Sequence, residues 1–258
     1  MNRNFLICRN FVSNATALGA KVPAKLQGIL DAGEATLQWM PADSLNALQN
    51  AIVEGKFTAE TASGYLDAEL NRTERQPGDV QSKAQDYLAR TFTVTLRNGA
   101  ADQIIDSLRP AFEKARDGFD TASEWITPST TAEQVLAAGP DAAAAWSALA
   151  EHRRTLDNLY SLATTLYHDF QLVPRHPFMM TGTEPIAAFF VGPSVDLRIA
   201  DQALEPLRSN GRRGGRWTGL RALTQLQWNT ATEARRIADA QQESIAAAER
   251  RHYAATHS

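Results

Sequence analysis

Apolar residues recur at steps of three and four along most of this chain, the period of one face of an α-helix. The longest run starts at Trp146 and passes through Leu149, Arg153, Leu156, Tyr160, Ala163 and Tyr167 to Phe170 without a slip. Only Arg153 is polar in that stripe, and Leu159, Leu162 and Leu166 add a second apolar edge. A stripe this wide predicts burial between several neighbours rather than a two-stranded seam. Asp141 is the expected cap. An unpaired buried guanidinium is too costly, so Arg153 should meet a carboxylate or reach water along its stem.

Shorter pieces are separated by proline and glycine. Pro23 predicts a short helix to Leu30, and Pro41-Ala42-Asp43 opens another through Leu45, Leu48 and Ile52, ended by Gly55. Thr58 is the expected cap for a helix with Ala62, Tyr65, Leu66 and Leu70 on its inner face. The piece from Val80 to Asn98 conflicts with itself, because Thr91-Phe92-Thr93-Val94-Thr95-Leu96 alternates like a strand. No partner strand follows it, so helix is the reading. Pro110 should kink or restart the next helix, which carries Phe112, Ala115, Phe119, Ala122 and Trp125. Thr130-Thr131-Ala132-Glu133 has the form of a capping box.

The helical pattern stops between residues 172 and 194. Pro174, Pro177, Pro185 and Pro193 bracket Phe178-Met179-Met180 and the apolar run Ile186 to Val191. A loop this long is uncommon in a compact domain unless it has work to do. A short helix from Val195 to Leu204, an Arg/Gly hinge from Ser209 to Gly219, and a last helix from Leu220 to His252 complete the chain. The expected division is an N-terminal arm (1–40), a main helical region (41–171), the loop (172–194) and a C-terminal part (195–258).

Composition changes this picture little. The 258 residues hold 26 basic and 29 acidic groups, a net charge of −3, which gives no global field toward nucleic acid or anionic lipid. Apolar runs are far short of the roughly 20 residues of a membrane span. The four-residue stretch Phe5 to Cys8, closed by Arg9, is too short for a signal peptide. One cysteine, Cys8, excludes an internal disulfide and a multi-cysteine metal site, and favours a reducing, cytoplasmic setting. Alanine totals 43, and arginine outnumbers lysine 21 to 5. That skew suits a GC-rich genome, such as an actinobacterium or one of its phages.

Candidate chemistry is sparse. Helical di-iron sites need two Glu-x-x-His pairs, and the chain has one, Glu249 to His252. His168-Asp169 resembles the paired ligands of the HD-type phosphohydrolases. That family also needs a histidine on a separate helix, whereas His152 shares a helix with His168, over about 20 Å away. No nucleophile elbow and no phosphate-cradling glycine loop preceded by a strand is present. Arg212, Arg213, Arg216 and Trp217 form the candidate nucleic-acid contact, against the plainer reading of a hinge with solvated arginines. Trp217-Thr218-Gly219 resembles the Trp-x-Gly turn of small actinobacterial secreted helical hairpins. Their Tyr-x-x-x-Asp/Glu signal has no match here, since Tyr253 to His257 lacks the acid.

Phe178, Met179, Met180, Phe189 and Phe190 are the candidate partner-binding residues, because contiguous exposed apolar side chains mark interaction sites. The plainer alternative is that the loop folds back as a plug over the helices. The expected molecule is all-α, with long antiparallel helices in a bundle or elongated coiled coil and one long non-helical apolar loop. Its expected role is non-enzymatic assembly or binding, with itself or another protein as partner, in the cytoplasm or a phage particle. No cofactor and no metal ligand set is expected. The contrasting classes are a metal-dependent helical enzyme using His152, His168 or His252, and a nucleic-acid accessory protein.

Overall fold

The computed structural model describes residues 2–39, 48–73, 77–127, 130–174, 184–204 and 215–256. The protein is all-α, and no strand occurs among the described residues. The chain divides into two compact units between Ile104 and Ile105.

In the N-terminal unit, α1 (Arg3–Ala17), α2 (Ala24–Gln38), α3 (Leu48–Val53) and α4 (Ala62–Thr73) precede α5 (Pro77–Thr95), which packs against all four. The stretch expected as an N-terminal arm holds α1 and α2, both packed on α5. Phe5, Cys8, Phe11, Val12 and Ala15 step by three and four along α1 and are all buried. Arg9 lies off that face, with Glu34 of α2 3.7 Å away. The Phe5 ring covers Gly33 so closely that a β-carbon there would stand 2.0 Å from it. The helix expected to stop at Leu30 continues to Gln38, since a glycine within a helix costs only about 1 kcal/mol, and Gly33 gives the Phe5 ring the room it occupies. Of the helix expected from Pro41, residues 41–47 lie outside the described residues. The cap expected at Thr58 falls one turn early: Thr58 and Thr61 bond each other, and α4 begins at Ala62.

The Thr-rich stretch that alternates like a strand is helical. Thr91, Thr93 and Thr95 each turn a hydroxyl back to the carbonyl four residues earlier, at 3.0, 3.0 and 2.9 Å. β-Branching is tolerated there because the hydroxyls find partners within the helix. A single π-type turn, Leu96–Ala100, then interrupts it, with Asn98 at ψ 25° and Gly99 at φ 101°. Gly99 is the residue that can take that left-handed backbone without strain, so Asn98-Gly99 marks a break between helices.

In the C-terminal unit α6 (Ala101–Trp125, crossing the boundary) continues through Pro110 without restarting. Pro110 is exposed, where water can serve the carbonyl its ring leaves unpaired. α7 (Ala132–Ala138) packs on α8 (Pro140–His168). The capping box of α7 sits one residue later than expected, on Thr131 and Gln134, because Thr130 is spent on the backbone of Thr127. α8 starts at Gly139-Pro140, with proline in the first turn where its missing N–H costs nothing, and not at Asp141. Most of its predicted stripe is inside: Leu149, Leu156, Leu159, Leu162, Ala163, Leu166, Tyr167 and Phe170 are buried, while Trp146, Arg153 and Tyr160 are half-buried.

Within the loop expected to be non-helical lies a turn of helix, α9 (Glu184–Ala187), while α10 (Leu197–Leu204) falls on the short helix expected from Val195 to Leu204. The single last helix is two, α11 (Arg216–Leu223) and α12 (Ala231–Thr256). Between them the chain extends so that the backbone N–H groups of Gln227 and Asn229 can bond Phe190 and Phe189 (3.0 and 2.9 Å), which a helix would forbid. α12 then restarts on a capping box, Thr230 with Glu233.

Leu156 is fully enclosed at the middle of α8. Leu156→Ala should lower unfolding free energy by about 2–5 kcal/mol in urea titration, the cost of a core cavity. A loss below about half a kilocalorie would mean that this stripe does not face the core.

Candidate functional site

The apolar run from Ile186 to Val191 is the centre of the C-terminal unit, and none of its residues is more than 1% exposed. Phe189 and Phe190 therefore present no ring to a partner in this conformation. Their neighbours are aromatic: Phe190 lies 5.0 Å from Trp217, 5.3 Å from Trp228 and 5.9 Å from Tyr160, centroid to centroid. Trp228 also stacks on Phe112 at 6.0 Å, and its indole N–H donates to the Ile105 carbonyl at 2.9 Å. Asn229 donates from one amide nitrogen to the carbonyls of Ala188 and Val191, both at 2.8 Å. Phe178, Met179 and Met180 lie outside the described residues.

Above this cluster α8 and the start of α11 bring ionisable groups together. Arg153, Asp157 and Tyr160 share one face of α8 at spacings of four and three. Asp157 takes the Trp217 indole N–H on Oδ1 at 2.9 Å and the Arg153 Nε on Oδ2 at 3.2 Å. Arg216 completes the group, with Nε 3.6 Å from the same carboxylate and its guanidinium 4.3 Å over the Tyr160 ring. Burial pushes the Tyr160 hydroxyl up from its ordinary pKa and Asp201 adds to the rise, while Arg216 opposes it. Gly215 has φ +56°, and a β-carbon there would stand 2.7 Å from Arg153 Nε, so glycine is what lets the arginine close over the turn. Arg221 of α11 meets Asp120 of α6 in a further ion pair.

The expectation for Arg153 holds: it pairs with Asp157 and keeps part of its side chain in water. The nucleic-acid expectation needs correction at Trp217, which is fully buried with its N–H committed, and so offers no face for a base. Arg216 is one-fifth exposed and occupied by Asp157 and Tyr160. Arg212 and Arg213 lie outside the described residues. Asp157, the residue on which these contacts converge, was not singled out from the sequence. Its only signal there is the i,i+4 spacing from Arg153.

His152 packs against the backbone of α6, 2.2 Å from where a β-carbon on Gly118 would be, and His168 lies 4.7 Å from the Tyr167 ring. His252 is exposed on α12. Among the described residues no group of three His, Cys, Asp or Glu side chains is placed to hold a metal ion. No described helix is long and apolar enough to cross a membrane. Cys8, in the other unit, is buried with its thiol donating to the Asn4 carbonyl at 3.3 Å, and burial pushes its pKa from 9.0 to about 12.

Three outcomes test these placements. Exchanging both Phe189 and Phe190 for serine should abolish the cooperative melt of the C-terminal unit, since losing one buried phenylalanine costs about 3–5 kcal/mol. An unchanged melt with reduced self-association would restore the interface reading. Asp157→Ala strands the buried indole N–H of Trp217 and should cost about 1–3 kcal/mol, while Asp157→Asn keeps an acceptor and should cost less. Equal losses in the two variants would show that the indole bond contributes nothing. For Cys8, a pKa near 12 leaves about one thiol in ten thousand ionised at pH 8, so maleimide should label the native protein only as fast as it unfolds. Rapid stoichiometric labelling without denaturant would contradict its burial. Comparison of the chain with protein-family models, curated proteins and solved structures finds no match.

Proposed function

We propose that this protein is non-enzymatic and works by assembly or binding, with another copy of itself or a different protein as partner. One observation supports the reading: in the polar cluster around Asp157 the described side chains are engaged in holding the fold. Both oxygens of Asp157 are occupied, the indoles of Trp217 and Trp228 have acceptors, and Arg109 and Arg235 donate to the carbonyls of Trp228 and Leu172. The Cys8 thiol is held neutral. The finer arrangement, long helices in an antiparallel bundle or elongated coiled coil, belongs to the same proposal and draws on helices of 25, 29 and 26 residues. So does the setting, a cytoplasm or an assembled phage particle of a GC-rich actinobacterial host, which rests on the alanine and arginine skew.

Sedimentation velocity on the purified chain, with elemental analysis of the same sample, tests the proposal. The expected result is a mass that is a multiple of 28.2 kDa and rises with concentration, without bound metal. A strict monomer at all concentrations would remove self-assembly and leave only a different protein as partner. Stoichiometric metal would overturn the non-enzymatic reading in favour of a helical metalloenzyme.

A further inference from the structure

We draw no further inference here: the strongest candidate, the guanidiniums of Arg153 and Arg216 beside the start of α11, carries nothing because both are engaged by the Asp157 carboxylate and nothing in the structure points to a ligand there.

Discussion

Six consecutive carbonyls, from Ile186 to Val191, are withdrawn from water when the apolar run enters the C-terminal unit, and each needs a donor. Two are met locally, by the N–H groups of Phe189 and Phe190 turning back to Ile186 and Ala187. The other four are met from one short segment: Gln227 N–H to Phe190, Asn229 N–H to Phe189, and the Asn229 side chain to Ala188 and Val191. A buried carbonyl left without a partner costs about 1–3 kcal/mol, so four together approach the whole stability of an ordinary domain. This requirement explains why the chain cannot stay helical between Leu223 and Ala231. It also fixes Trp228 between two bonded residues, facing Phe112, Phe189 and Phe190.

The N-terminal unit meets a smaller version of the same constraint with one glutamine. Gln85 is 1% exposed and takes the Asn2 backbone N–H at 2.7 Å while donating to Thr36 at 2.9 Å. Thr36 passes its own hydroxyl to the Gly33 carbonyl at 2.6 Å. The relay joins α5 to α2 and to the residue preceding α1, so a polar group deep in an apolar interior selects one way of packing three helices. Apolar faces alone, built of similar alanines and leucines, tolerate sliding far better than a hydrogen bond does.

The helices were legible where one face had to be buried. The stripe of α8 could be read directly because its period is unbroken for over 20 residues, and Thr91 to Thr95 yielded to the absence of a pairing strand. What the sequence hid was tertiary. Nothing local says that Phe189 and Phe190 are covered, because an apolar run without helical period looks the same as an exposed patch and as a plug. The break before α12 did leave a trace, since Thr230-Ala231-Thr232-Glu233 has the capping-box form. It was masked by alanine and leucine on both sides, which favour continuous helix. The α1 helix was missed for a related reason: Arg9 interrupts the apolar residues along the sequence but lies away from the buried face in space.

Arginine's excess over lysine has a structural component besides a genomic one. Arg235 places two N–H groups on the single carbonyl of Leu172, at 2.9 and 2.5 Å, and Arg109 bridges the Trp228 carbonyl and Asp106 with separate nitrogens. Arg198 grips both oxygens of Asp196, and Arg216 sits over the Tyr160 ring while facing Asp157. Each geometry uses the planar, multi-donor guanidinium, and an ammonium could satisfy only part of any of them. The carbonyls of Leu172 and Trp228 both lie just past the end of a helix. Arg109 of α6 and Arg235 of α12 reach those carbonyls. The count of 21 to 5 is therefore weaker evidence of a GC-rich origin than it looks from composition alone, since several of these positions ask for arginine on physical grounds.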